Sequence, residues 1–199
     1  METIVKNLPL SFYKYSTITI AERLLGKLLV RETDARTWTG RIVEVEAYIG
    51  EDDPACHAFR GLTPRTRILY GPAGHAYVYF TYGMHFMLNV VTEKEGFPAA
   101  VLIRALEPVS GFSEVDPRPA SGPGKLCRAM QIDKSFNGIS LQSRELRIAK
   151  SPRSGRRQDI RWSPRIGITN GTDKLWRAYL YGNPYVSRKS NPKDSVLPS

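Results

Sequence analysis

The sequence predicts a single-domain α+β protein in which short helices pack around a mostly antiparallel β-sheet. Three observations carry that expectation. The chain has 199 residues, the size of one domain, large enough to bury about 70% of its unfolded surface. Its strongest apolar runs alternate at the period-two spacing of strands and are joined by short turns, as antiparallel neighbours require. Only two stretches, after Ser16 and after Lys125, carry helical spacing with end signals.

The first helix is expected between Ser16 and Gly26. Ser16 or Thr19 is the candidate cap, Glu22 stands three residues after Thr19 as in a capping box, and Gly26 supplies the stop. Leu28 to Arg31 then begins a strand, Asp34-Ala35-Arg36 turns it, and Trp38 to Tyr48 returns. On the return strand Val43, Val45 and Ala47 point one way, and Ile42, Glu44, Glu46 and Tyr48 the other. Two carboxylates and a phenol on one face of an apolar strand are poorly explained by packing. That face is either solvated or lines a cleft.

Glu51-Asp52-Asp53 either ligates a divalent cation or caps the segment that starts at Pro54. The cap is the better reading, because three adjacent acids do not converge on one ion without a dedicated loop. His57 alone reads as an ordinary hydrogen-bonded side chain. Arg60, Arg65 and Arg67 surround Pro64 in an irregular basic loop. Tyr77 to Tyr82 is an aromatic strand ending at Gly83, and His85 to Val91 is its hairpin partner. Tyr77 and Phe80 read as core, whereas Tyr82 at the tip is a ring left in water. Asn89 is a polar residue in an apolar strand and needs partners or a ligand. For Tyr79 and Asn89 to oppose each other, the connection must have odd length, as in a three-residue loop at Gly83.

Ala99 to Leu106 is a third strong strand, and the guanidinium of Arg104 within it calls for a carboxylate, with Glu44 and Glu46 the candidates. Ser121-Gly-Pro-Gly-Lys125 lacks P-loop spacing but precedes the helical pattern Leu126, Met130, Ile132, so its amides are placed to hold a phosphate. Arg147 to Arg165 is a basic stretch broken by Pro and Gly, either an insertion loop near nucleic acid or a mobile solvated loop. Trp176 to Tyr181 closes the sheet. The compact part is expected over about 10–187, with a polar, frayed tail over 188–199.

Composition narrows the function. An excess of 29 Lys and Arg over 19 Asp and Glu gives a net charge of +10, which suits a polyanion such as nucleic acid or else marks a merely basic surface. No apolar run approaches the ~18 residues of a membrane span, and the first residues lack signal-peptide architecture. An intracellular protein is expected, cytoplasmic and nucleoid-associated if the source is bacterial. Cys56 and Cys127 are far apart and read as reduced thiols, and His57, His75 and His85 match no zinc spacing.

The blocks GRIVEVEAYIG, TPRTR, YVYFTYGMHFMLNVV, VLIRALEP and SGPGKLC, in this order, resemble the alkyladenine (3-methyladenine) DNA glycosylases of animals, plants and many bacteria. The resemblance runs from about Phe12 to Ser187. It implies that Glu46 is the base that activates water and that Arg104 stands beside that water and the target phosphate. It implies that Tyr48, His57 and Tyr79 hold the flipped base, and that Asn89 crowds a purine 2-amino group. Tyr82 would be the wedge that fills the gap in the duplex, with Met84 beside it in the same turn, and Arg65, Arg67 and Lys125 would contact the DNA backbone. His85 departs from the pattern, since animal members commonly carry Tyr there.

The expectation is therefore a single domain over 1–199, an α+β fold with a curved, mostly antiparallel β-sheet and surrounding helices. It is expected to act as a monomeric, monofunctional glycosylase with no cofactor, no metal, no membrane and no obligate protein partner, its substrate double-stranded DNA containing damaged purines. Two other readings stand against it: a non-catalytic nucleic-acid-binding domain, and a metal-dependent nuclease using Glu44, Glu46, Asp52 and Asp53.

Overall fold

The computed structural model describes residues 6–81, 83–152, 158–189 and 191–198. The Ser16 side chain accepts the Thr19 amide and starts helix α1 (Thr17–Leu24). The cap is thus Ser16, and no capping box forms between Thr19 and Glu22. Gly26 adopts φ +80°, the left-handed stop expected of it. Strands β1 (Leu28–Glu32) and β2 (Thr37–Ile49) follow as an antiparallel pair.

β2 is the axis of the molecule. One of its edges pairs with β5 (Ala99–Ser110) along most of its length. The other edge is shared: β1 takes the first part, and β8 (Arg177–Leu180) takes Glu44, Val45 and Glu46. The hairpin of β3 (Ala76–Thr81) and β4 (His85–Val91) joins beyond β5, β6 (Leu146–Ala149) lies beyond β1, and β7 (Ile160–Ser163) pairs β8. Every pair among these eight strands is antiparallel. The sheet curls into a half barrel, with β1 and β8 taking successive stretches of one edge of β2. The fold is α+β, as the sequence predicted.

The concave side is filled by one core that combines Ile20, Ala21 and Leu24 of α1 with Val43, Val45 and Ala47 of β2 and Ile103 and Ala105 of β5. Helix α2 (Pro123–Ala129) adds Leu126 and Cys127 and leans on β4 and β5. Ile42, expected on the carboxylate face, joins this core instead. The reason is local: the β2–β5 register shifts between Ile42 and Glu44 and shifts back between Glu44 and Val45. Strict alternation fails across such a bulge, and the same irregularity falls opposite Arg104.

The hairpin closes between Thr81 and His85, leaving a three-residue connection around Gly83 at φ +66°. Odd length and a shared face therefore hold, but direct opposition of Tyr79 and Asn89 does not. Tyr79 faces Met87 and Asn89 faces Tyr77, one pleat away. No helix begins at Pro54: Asp53 caps a turn by accepting the Ala55 amide at 3.1 Å, and a short 3-10 turn starts only at His57.

Two further expectations are corrected. The tail after Arg188 is docked rather than frayed, since Ser195 exchanges backbone hydrogen bonds with Trp162 and the Tyr179 hydroxyl donates to Asp194 at 2.7 Å. The basic stretch is not one loop. Arg147 lies in β6 and Arg161 in β7, Arg165 is buried, and Arg153, Arg156 and Arg157 lie outside the described residues.

Candidate active site

Glu44 and Glu46 are both fully buried in the middle of β2, where unpaired charges would be prohibitively costly. They are paired. Arg104 of β5 donates Nε to Glu44 Oε1 at 3.1 Å and Nη1 to Glu46 Oε2 at 3.0 Å. Arg177 of β8 donates Nε to Glu44 Oε1 at 2.7 Å, and the Ser187 amide and hydroxyl complete the Glu44 shell at 2.5 and 2.8 Å. Burial raises the Glu44 carboxyl, but Arg177 and Arg104 more than offset it, so it sits below the usual carboxylate range. Burial alone would lower the Arg104 guanidinium, but Glu46 and Glu44 beside it raise it overall.

The two carboxylates are used differently. Glu44 is bound on all sides by cations and by Ser187, as a structural anion is. Among the described residues Glu46 accepts three bonds: Arg104 Nη1 and the Tyr48 hydroxyl (2.9 Å) on Oε2, and the Ile166 amide (2.7 Å) on Oε1. A carboxylate has about four acceptor sites, so one on Oε1 stays open to a small donor. Of the four acids of the metal-nuclease reading, Glu44 and Glu46 are committed to guanidinium groups and Asp53 to Arg165 through bonds of 2.6 and 2.7 Å, while Asp52 is exposed.

Beside Glu46, the sheet face carries a small cavity lined by Tyr48, Ala55, His57, Leu69, Tyr77, Tyr79, Asn89 and Ala100. Its volume is about 30 Å³, room for a water or two and too little for a purine, so the rings must part to admit a base. His57 and Tyr79 stand edge to face with centroids 4.4 Å apart. The Tyr77 hydroxyl lies 2.8 Å from His57 Nδ1. Burial raises the Tyr77 hydroxyl above its ordinary value, with Arg65 nearby partly offsetting it. Burial, with Arg65 nearby, lowers the His57 pKa to about 4, so the ring is neutral near pH 7. Burial and the neighbouring Glu46 carboxylate raise the Tyr48 hydroxyl well above its ordinary value. Asn89 donates its amide to the Tyr77 carbonyl at 3.1 Å.

The family described as Methylpurine-DNA glycosylase (MPG) matches residues 11–184. The chain belongs to this family. Curated relatives named "Putative 3-methyladenine DNA glycosylase" agree over nearly full length. One from Chlorobaculum tepidum is 44% identical, covering 92% of both chains. One from Legionella pneumophila is 46% identical over 92% of this chain and all of its own. One from Methanocella arvoryzae is 48% identical over 92% of this chain and 96% of its own. Membership makes this a DNA glycosylase, an enzyme of base-excision repair.

The structure brings Glu46, Arg104, Tyr48, His57, Tyr79 and Asn89 of this glycosylase to one end of the sheet. Tyr82 lies outside the described residues. Met84, beside it, is 68% exposed. Arg67 is exposed in a 3-10 turn (Arg67–Tyr70). Arg65 is exposed too, but its guanidinium also sits 5.4 Å over the Tyr79 ring. Lys125 is engaged by Asp116 at 3.3 Å in an exposed ion pair. His85 touches the start of α2: a Cβ on Gly124 would come within 2.9 Å of its ring. Sequence reasoning missed Arg165, Ile166, Arg177 and Ser187, all more than a hundred residues from the strand they serve. The only available signal was an arginine next to apolar Ile166 at the end of the basic stretch, which the surrounding charges masked.

Proposed function

We propose that this glycosylase extrudes alkylated or deaminated purines (3-methyladenine, 7-methylguanine, hypoxanthine, ethenoadenine) from duplex DNA and hydrolyses the N-glycosidic bond with water activated by Glu46. The observation that carries this reading is the single open acceptor site on a buried carboxylate that adjoins an aromatic cavity. An enzyme acting on a base inside a duplex must take it out of the stack, and flat rings on either side then hold it by stacking, roughly 1–3 kcal/mol per base. Tyr48 forms one wall, with Tyr79 and His57 the other, and Asn89 at the floor crowds a purine 2-amino group. The neutral His57 ring presents Nε2 to the base edge.

Water on Glu46 Oε1 loses a proton to the carboxylate and attacks the sugar carbon as the purine departs. Arg104 and the Ile166 amide fix the carboxylate, and its charge stabilises the developing oxocarbenium-like centre before the proton is taken up. An N3- or N7-alkylated purine is cationic and leaves readily. A neutral purine must gain a proton as it leaves, so its excision depends more on the fully assembled site. Tyr82 and Met84 at the hairpin tip fill the gap in the duplex, and Arg65, Arg67 and Lys125 take up phosphates. The carboxylate and water suffice for the chemistry, with no cofactor, one protomer and no strand cleavage.

The test is an abasic-site assay on hypoxanthine and ethenoadenine duplexes with and without EDTA, comparing wild type with Glu46→Gln. Wild type should excise in EDTA, and Glu46→Gln should lose about 10²–10⁴ in rate while still binding lesion DNA. Lesion binding with no excision by wild type would instead make this a binding domain, and EDTA-sensitive strand cleavage a nuclease.

A further inference from the structure

Arg165 has so far entered only as a missed residue. Its side chain is fully buried, yet it lies outside the charge cluster around Glu46. Nη1 donates to the Ala47 carbonyl at 3.0 Å and to Asp53 Oδ2 at 2.6 Å. Nη2 donates to Asp53 Oδ1 at 2.7 Å and to the Gly171 carbonyl at 3.2 Å. The guanidinium plane lies 4.8 Å from the Tyr48 centroid and 5.1 Å from that of Trp176. Its Nε is buried with no hydrogen-bond partner among the described residues, a cost that a purely structural ion pair has no reason to carry. Gly171, at φ +63°, is shaped to this group: a Cβ there would stand 2.9 Å from Nη2. Asp53 in turn accepts the Ile49 amide at 3.2 Å.

Arg165 therefore holds the backbone on one side of Tyr48 through the Ala47 carbonyl. Through Asp53 it reaches the Ile49 amide on the other side, and it covers the Tyr48 ring face turned away from the cavity. The next residue, Ile166, donates its amide to Glu46. We propose that Arg165 is a positioning residue that fixes, through the Tyr48 ring and the Ile166 amide, where the flipped base stands relative to the Glu46 carboxylate. The inference rests on the base-excision reading above. It adds a specificity consequence. A cation on the far face of Tyr48 draws electron density from the face offered to the base, and so weakens that wall's attraction for cationic purines relative to neutral ones.

The experiment compares Arg165→Lys and Arg165→Gln with wild type in single-turnover excision, enzyme in excess, on hypoxanthine and on 7-methylguanine duplexes. Under enzyme excess the rate constant reports only folded molecules. The Lys variant keeps the charge but loses the planar fork, so hypoxanthine excision should fall at least tenfold in both variants, as misplaced reacting groups do. The Gln variant should also raise the ratio of 7-methylguanine to hypoxanthine excision at least threefold. Binding to a duplex with a tetrahydrofuran abasic analogue, which offers no base to stack, should change less than threefold. Because removing half of a buried ion pair can prevent folding, the double variant Arg165→Met/Asp53→Leu leaves no unpaired charge and should show the same changes. Hypoxanthine rates within twofold of wild type in any of these variants that folds, with an unchanged ratio, overturn the proposal. Failure of wild type to excise either lesion would overturn the base-excision reading itself.

Discussion

The site joins two regions of opposite character, the charged cluster on β2 and the β3–β4 hairpin. Around β2, Glu44, Glu46, Arg104 and Arg177, with Arg165 beside them, are buried and each is fixed by several partners from distant segments. At the hairpin tip, Met84 stands in water, and Phe80 on the outer face is 51% exposed. One region is complete before DNA arrives. In the proposed reading the other is completed by it, its exposed apolar side chains gaining burial on insertion. Chemistry that moves a proton needs fixed geometry, whereas a wedge needs only reach and bulk.

The comparison is broken most severely by Glu44→Gln. It leaves Arg104 and Arg177 sharing one neutral amide, and unfolding in urea should show a loss of roughly 3–5 kcal/mol. Excision falls with it, because Arg104 is then free to turn from Glu46. A smaller effect comes from acid. The folded His57 pKa of about 4 lies below the ordinary 6.5, so the unfolded chain binds the extra proton first. Stability is then fully present above about pH 6.5 and is lost as pH falls towards about 4. His57→Gln should flatten that part of a stability-versus-pH curve, and an unchanged slope would place the titration elsewhere. Met84→Ala, on the other side of the comparison, should change stability by no more than about 0.5 kcal/mol while weakening lesion-duplex binding measurably. A melting temperature lowered as in a core truncation would make Met84 a packing residue. Smallest of all, Lys125→Ala should reduce the slope of log affinity against log salt by about 1 and leave excision under saturating enzyme unchanged.

The sequence displayed the two regions unequally. The hairpin was legible in nearly every feature, because alternation, aromatic content and a turn glycine are local signals. Its register missed by one pleat, since nothing in a single strand records where its partner begins. On β2, the shared face of Glu44, Glu46 and Tyr48 and the pairing of both carboxylates with Arg104 were legible from strand alternation and from the need to neutralise a buried guanidinium. What was hidden is that Glu44 is also held by Arg177 and Ser187, which no local pattern ties to β2. The docked tail and buried Arg165 were hidden for the same reason. Polar composition predicts exposure, and only tertiary pairing overrides it.

The spacing of those partners sets a clock. Glu44 meets Ser187, 143 residues later, and Glu46 meets Ile166 across 120. At ~5–20 residues per second of synthesis, the last contacts come on the order of ten seconds after β2 leaves the ribosome. A chain arrested after β5 would already carry the hairpin, Arg104 and all the recognisable motifs up to it, yet its carboxylates would lack Arg177, Ser187 and the Ile166 amide. Under the proposed mechanism such a chain would be inactive, its carboxylate site waiting on the last segments to be made.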